Sequence, residues 1–214
     1  MKVLVVGANG QIGKHVVQLL MENSEYSVRA FLRTEQQVQQ FTHLGVEAVI
    51  GNLEGSVEEI AETINGCDAV IFTAGSGGHT GADKTLLIDL DGAVKVMEAA
   101  EKVGATRFIM VSALQAHNRN NWNEKIKPYY VAKHYADRAL IQSNLTYTII
   151  RPGGLLNEPG TGKVTIDENL DRGYIPREDV AKTIVTVLNE KNTFLKAFDL
   201  VSGDTPIIDA VKQI

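Results

Sequence analysis

The chain is short of cysteine, poor in histidine pairs and without a long apolar run, and each shortage removes a class of function. A single cysteine in 214 residues, Cys67, excludes an internal disulfide framework and a thiolate zinc site. It stands just before the apolar run Ala69–Phe72 and is read as a small buried apolar residue. The five histidines are His15, His43, His79, His117 and His134. They form neither a His-x-x-x-His nor a His-Glu-x-x-His pair, so no metal site is expected. No stretch approaches the roughly 18 apolar residues that span a bilayer. Cationic excess is also missing: a net charge of −5 gives no basic footprint for nucleic acid or an anionic membrane. There is no Gly-x-Ser-x-Gly nucleophile elbow. The chain opens directly on an apolar strand, which leaves no room for a signal peptide, and a cytoplasmic location is expected.

What is present begins at residue 1. Met1-Lys-Val-Leu-Val-Val runs into Gly7-Ala-Asn9-Gly10-Gln11-Ile12-Gly13, and an amphipathic pattern follows. A strand, three glycines at this spacing and a helix form a loop suited to a pyrophosphate. One glycine makes the tight turn, one admits the phosphates to the backbone, and one lets helix and strand pack closely. The helix would aim its free N–H groups and positive dipole end at the anion. The loop lacks the Gly-Lys-Ser/Thr ending of a triphosphate-binding loop, and Lys14, just past the last glycine, is not counted as a phosphate ligand.

Apolar runs alternate with helical patterns along the rest of the chain. Val3–Val6, Ser27–Leu32, Ala48–Ile50, Ala69–Phe72, Phe108–Val111, Thr146–Ile150 and Ala197–Val201 read as strands. Ile12–Met21, Glu35–Thr42, Val57–Ile64, Thr85–Val103, Tyr129–Gln142, Arg177–Leu188 and Thr205–Gln213 read as helices. The alternation predicts a single α/β domain over 1–214, with a doubly wound, mainly parallel Rossmann-type sheet and helices on both faces. Two stretches without periodicity, near 113–128 and 153–173, follow strand ends. They are either substrate loops or simple surface loops.

The end of the second strand selects the cofactor. A carboxylate there serves the ribose 2′-OH of NAD, whereas an arginine accommodates the 2′-phosphate of NADP. Arg33 stands twenty residues after Gly13, so NADP is expected over NAD. Glu35 remains as a candidate for a ribose diol, and a solvated strand-end charge remains as the other reading of Arg33. Asn52 could read an adenine edge. The small residues of Thr73-Ala74-Gly75-Ser76 would let backbone pass close to the ribose and pyrophosphate.

Together these residues resemble the short-chain dehydrogenase/reductase superfamily. The chain is most similar to its atypical single-domain NAD(P)-binding branch, which includes NmrA-like and biliverdin-IXβ/flavin reductase-like proteins. The matching pieces are the glycine loop, Arg33, Gly51-Asn52-Leu53, Ala74-Gly75, Leu90-Asp91-Gly92-Ala93, Val111-Ser112-Ala113, Tyr129-x-x-x-Lys133, Arg151-Pro152-Gly153 and Ile175-x-Arg177-x-Asp179-Val-Ala. Asn52 stands where the family usually has aspartate, and either side chain can accept from an adenine amino group. The resemblance implies a catalytic triplet of Ser112, Tyr129 and Lys133. It implies cofactor contacts from Gly7, Asn9, Gly10, Gln11, Ile12, Gly13, Arg33, Asn52, Leu53, Ala74, Gly75, Lys133, Pro152 and Gly153.

Physical chemistry supports the triplet. Tyr129 and Lys133 share a helix face one turn apart. An ammonium beside the phenol would lower its pKa from about 10. The phenol could then exchange a proton with a carbonyl or alcohol while hydride moves to or from the nicotinamide. Ser112, at the end of an apolar strand, would orient the substrate oxygen, or would only cap the turn. Tyr130 is the second-choice phenol or a core residue. Arg151 binds an anion or pairs with an internal carboxylate such as Asp179. His79 and His117 line the pocket or lie exposed in loops. The expected activity is NADP-dependent hydride transfer to a small carbonyl, quinone or flavin-like molecule. The alternative is a non-catalytic NADP(H)-binding redox sensor. The expected partner is a small-molecule substrate.

Overall fold

In a computed structural model, which describes residues 1–78 and 80–214, the order of elements follows the alternation of the sequence. His79, expected to line the pocket or lie exposed, falls outside the described residues. The strands are β1 Lys2–Val6, β2 Ser27–Leu32, β3 Glu47–Ile50, β4 Ala69–Phe72, β5 Arg107–Val111, β6 Thr146–Pro152, β7 Gly154–Leu156, β8 Lys163–Asp167, β9 Tyr174–Pro176, β10 Lys196–Ser202 and β11 Thr205–Pro206. The helices are α1 Gln11–Met21, α2 Glu35–His43, α3 Val57–Ile64, α4 Ala82–Lys84, α5 Ala93–Val103, α6 Lys127–Gln142, α7 Arg177–Val187 and α8 Ile207–Lys212. A π-helical segment, Thr85–Gly92, joins α4 to α5.

Nine strands form one sheet in the order β11-β8-β10-β6-β5-β4-β1-β2-β3. All run in one direction except β8, which pairs antiparallel with both β10 and β11 at one edge. The uninterrupted apolar run of β1 is explained by burial on both faces. Val3 and Val5 join one core with Val16 and Leu20 of α1 and Val180, Ile184 and Val187 of α7. Leu4 and Val6 join the other with Ile60 and Ile64 of α3, Val96 and Met97 of α5, and Leu140 of α6. Local signals fix the helix ends. Ser56 and Glu59 form a capping box on α3, and Gly104 closes α5 at φ +77°.

Three expectations need correction. The stretch 153–173 is not irregular: it holds β7 and β8, and β9 follows at once. Three-residue strands such as β7 and β9 are too short to show a period and are held by pairing with each other. The helix expected over Thr85–Val103 has π geometry in its first part, and Thr205–Pro206 pairs with β8 before α8 begins. The stretch 113–128 has no strand or long helix before α6, only short 3₁₀ turns at Arg119–Asn121 and Glu124–Ile126.

The strand order reverses between β1 and β4, because the chain builds β2 and β3 on one side and returns to the other. At such a switch point the loops beyond the strand ends separate and leave a crevice. The C-terminal ends of β1, β4, β5 and β6 lie side by side there. Among the described residues no helix is long and apolar enough to cross a membrane.

Candidate functional site

The glycine loop sits at this switch point and closes on itself. Gly7 has φ +86°, and a Cβ there would come within 2.7 Å of the Ala74 backbone nitrogen. Gly7 thus both turns the chain and lets the loop after β4 approach the loop after β1. The Gly10 amide donates to the Gly7 carbonyl at 2.8 Å, and a side chain at Gly13 would collide with that same carbonyl. Helix α1 begins with no side-chain cap at Gly10 and no acidic residue in its first turn. The amides of Gln11, Ile12 and Gly13 therefore have no intrahelical acceptor and sit at the positive end of the helix. Ile12 and Gly13 are buried, Asn9 is half-buried, and Gln11 is exposed. This cradle fits a pyrophosphate.

On the β2 side, Arg33 is exposed just beyond the strand. Its amide donates to Gln37 Oε1 at 3.0 Å. Among the described residues its guanidinium has no hydrogen-bond or ion-pair partner. Thr34 caps α2 by accepting from the Gln37 amide, and Glu35 occupies the first turn of that helix. Asn52 does not hold its carboxamide fully free for a base: its Oδ1 accepts from the Glu54 amide at 2.9 Å and shapes the turn after β3. Leu53 is buried beneath it, close to Gly92.

The loop after β4 carries Ala74, half-buried, and Gly75, exposed. It is tied to the π-helical segment, because the Ser76 amide donates to Asp89 Oδ2 at 2.9 Å. A Cβ on Gly75 would lie 3.0 Å from Asp89 Oδ1. Asp89 is only 1% exposed, and its Oδ1 lies 3.5 Å from Lys133 Nζ. That ammonium also donates to the Val111 carbonyl at 3.1 Å.

This changes the expected chemistry of Tyr129. Lys133 Nζ stands 5.8 Å from the Tyr129 ring centroid, but its charge is matched by Asp89. Burial pushes the phenol pKa of Tyr129 up, and the Asp89, Tyr130 and Asp137 groups push it further. Tyr129 keeps part of its surface in solvent, and the packing around it still disfavours a phenolate. The expected lowering by Lys133 is therefore overturned, and a protonated phenol is the stable form.

Ser112 lies at the end of β5, where its amide donates to the Ile150 carbonyl at 2.7 Å. Its buried Oγ has no hydrogen-bond partner of good geometry. Behind it, Arg151 Nε donates to Asp137 Oδ2 at 2.8 Å. The carboxylate partner of Arg151 is thus Asp137 and not Asp179. Asp179 instead accepts from the amides of Thr161 and Gly162 at 2.8 and 2.9 Å and folds the turn before β8. Pro152 and Gly153 are buried. A side chain at Gly153 would strike the Gly173 carbonyl, so that glycine serves the junction of β6, β7 and β9. Tyr130 is buried and stacked on Trp122, with centroids 6.1 Å apart, which makes it a core residue.

The stretches 113–128 and 153–173 meet. Gln115, at φ +62°, sends its Nε2 to the Leu170 carbonyl at 2.8 Å and to Asp199 Oδ2 at 3.1 Å. The Leu170 amide also donates to Asp199 Oδ2. His117 Nε2 lies 2.7 Å from Asn169 Oδ1, and Arg172 donates to the Asn121 carbonyl. Between the loops is a cavity of about 330 Å³ lined by Gln115, Asn120, Asn121, Trp122, Leu170, Asp171 and Arg172. A larger cleft of about 520 Å³ runs beside α1, lined by Gln11, Lys14, His15 and Gln18 together with Leu156–Pro159, Arg177 and Glu178. Neither cavity is lined by Ser112, Tyr129 or Lys133, so the site is located by its donors and acceptors and not by cavity size. Sequence reading missed Asp89, Asp137 and Asp199. The available signal was a single acid inside a mostly apolar stretch, since such residues are rarely buried without a partner.

Comparison with known proteins gives the same answer. The NAD(P)H-binding family matches residues 7–191. The chain is 63% identical over 214 residues, and over the full length of both proteins, to the uncharacterized sugar epimerase YhfK of Bacillus subtilis. It is similar to the oxidoreductase ylbE of Lactococcus lactis, with a TM-score of 0.91 and 35% identity, over 100% of this chain and 96% of that one. ChuY, an anaerobillin reductase of Escherichia coli, aligns with a TM-score of 0.82 and 25% identity over 95% and 98% of the two chains. The glycine cradle at the β1/β4 switch point, the sheet order and these matches make the chain a member of the NAD(P)H-binding family of Rossmann-like proteins, in its atypical short-chain dehydrogenase/reductase group.

Proposed function

We propose that the protein is an NADPH-dependent reductase of a small carbonyl, quinone or flavin-like acceptor. The observation that carries this reading is the glycine cradle at the β1/β4 switch point, with the Lys133 ammonium 5.8 Å from the Tyr129 ring on the helix that follows β5. The Tyr129 phenol holds its proton and is therefore present in the donor form that reduction of a carbonyl needs. The bound nicotinamide supplies the hydride. The residues of the chain do the rest. Gly7, Gly10 and Gly13 with the first amides of α1 hold the pyrophosphate, aided by Asn9, Gln11 and Ile12. Arg33 receives the 2′-phosphate. Asn52, Leu53, Ala74 and Gly75 flank the adenosine half, and Lys133 reaches the ribose hydroxyls. Ser112 orients the acceptor oxygen, and Tyr129 gives it a proton. The loops at 113–128 and 153–173 shape the acceptor pocket and select the substrate.

The names of the relatives divide between epimerase and reductase, and a kinetic experiment separates them. NADPH consumption is followed with an aldehyde, an ortho-quinone and a flavin, for wild type and Tyr129→Phe. Proton donation by Tyr129 predicts a fall of about 10²–10⁴-fold with the aldehyde in the variant. Equal rates in both proteins would mean that hydride is delivered without the phenol. Tight NADPH binding with none of the acceptors reduced would favour a cofactor sensor. Interconversion of a nucleotide sugar without net NADPH loss would replace the reductase reading with an epimerase.

A further inference from the structure

Beneath the Ser112 hydroxyl lies a carboxylate that the proposed reaction does not use. Asp137 follows Lys133 by one turn on α6 and is 2% exposed, as is Ser112. Its Oδ2 is taken by Arg151 Nε at 2.8 Å. Its Oδ1 and the Ser112 Oγ are both buried and both lack a hydrogen-bond partner of good geometry. The two are nonetheless close enough for the Ser112 hydroxyl to favour the ionised form of Asp137. Two orphaned oxygens on neighbouring side chains in a dry interior are costly unless a proton is shared between them.

Chemistry limits how that proton can be placed. An ionised carboxylate only accepts, whereas a serine hydroxyl has one donor and two acceptor sites. Arg151 keeps Oδ2 an acceptor in every state, so a proton bound by Asp137 sits on Oδ1, the oxygen that Arg151 leaves free. We propose that Asp137 sets the direction of the Ser112 O–H. As a carboxylate it draws the Ser112 hydrogen to itself, and Ser112 offers only lone pairs elsewhere. As a carboxylic acid it donates to Oγ, and the Ser112 hydrogen points away as a donor. On the reductase reading, on which this consequence rests, the second state is the one that can hold a carbonyl oxygen. The first instead suits an alcohol. Asp137 is thus a positioning residue that acts through Ser112.

The charged surroundings of Asp137 permit both states. Burial favours the acid, while Arg151 on β6 and Lys133 on α6 favour the carboxylate. Asp89 of the π-helical segment lies against Lys133, and Asp199 of β10, in register with Arg151, also feels the Arg151 charge. Tyr129 also faces the Asp137 charge. The net result is a pKa above the ordinary carboxylate value.

Infrared difference spectroscopy of the whole protein, titrated from about pH 4 to about pH 9 against the ordinary value of about 3.9, tests this without turnover. The expected result is a protonated-carboxyl stretch that persists above the ordinary range. It is absent in Asp137→Asn and moves to higher frequency in Ser112→Ala, where the carboxylic acid loses its acceptor. Should Ser112→Ala unfold, Ser112→Cys keeps the volume and gives the same shift. A band that ignores Ser112, or no Asp137 band above the ordinary range, overturns the proposal. A second arm follows NADPH-driven reduction of phenanthrenequinone over the same pH range. Asp137→Asn keeps an oxygen toward Arg151 and a fixed N–H donor toward Ser112, so it loses the alkaline fall in rate that wild type shows. An alkaline fall unchanged in Asp137→Asn counts against the proposal. No NADPH consumption by either protein would remove the reductase reading, while the infrared result would still decide the coupling of Ser112 to Asp137.

Discussion

Asp89 decides how much of the Lys133 charge reaches Tyr129. The spacing Tyr-x-x-x-Lys places an ammonium one turn from a phenol, and spacing alone predicts a more acidic tyrosine. The structure adds a buried carboxylate at 3.5 Å from that ammonium and reverses the expectation. Asp89→Asn keeps an oxygen for the Ser76 amide but removes the opposing charge. The Tyr129 phenol should then titrate lower by about one unit or more, read by ultraviolet difference absorbance against Tyr129→Phe. An unmoved titration would mean that Lys133 and Asp89 do not control the phenol. Gly7 makes a different kind of residue prediction. Its φ of +86° and its approach to Ala74 leave no space for a methyl group. Gly7→Ala should cost about 1–3 kcal/mol in urea unfolding and weaken NADPH binding. The glycine loop was legible in the sequence because each glycine answers a local steric demand. Asp89, Asp137 and Asp199 were not, because their partners Lys133, Arg151 and Gln115 come from other elements.

The segment between β6 and α7 shows why some elements escaped the sequence. β8 alternates, with Val164 buried and Ile166 half-buried, but glycines and Pro159 precede it and it pairs only with the distant β10 and β11. β7 and β9 pair beside Gly153, where a side chain would strike the Gly173 carbonyl, while Gly173 packs against Val201. The long strands β1, β4 and β5 were legible because burial on both faces demands an unbroken apolar run. The stretches 113–128 and 153–173, by contrast, are organised by Asp199, which accepts the Gln115 and Leu170 amides. Replacing it with Asn turns one acceptor into a donor facing another donor. Asp199→Asn should cost about 1–3 kcal/mol. Hydrogen exchange should quicken around 115–122 and 168–172 and stay unchanged in β1 and β4. Uniform protection across the chain would show that the loops are held by other contacts.

The doubly wound order of the sheet brings the ends of β1, β4, β5 and β6 to one edge, and with them a buried alternation of charge from Asp89 through Lys133, Asp137 and Arg151 to Asp199. Burial raises the pKa of both Asp137 and Asp199. The native state therefore binds protons more tightly than the unfolded chain at these sites. Their contribution to stability is complete below the ordinary value of about 3.9 and is lost as pH rises through the native pKa. The exposed Glu58, held low by Lys102, acts in the opposite sense and loses its contribution as pH falls. Urea unfolding at a series of pH values should show a shallower decline with rising pH in Asp137→Asn than in wild type. An identical decline would assign the pH dependence to other groups. The central claim, that this edge binds NADPH with Arg33 on its 2′-phosphate, is tested most directly by nicotinamide fluorescence. NADPH and NADH are titrated into wild type and Arg33→Ala. The account predicts tight NADPH binding that weakens about tenfold or more in the variant, with NADH binding little changed. Equal affinity for both nucleotides, unaffected by the substitution, would contradict it.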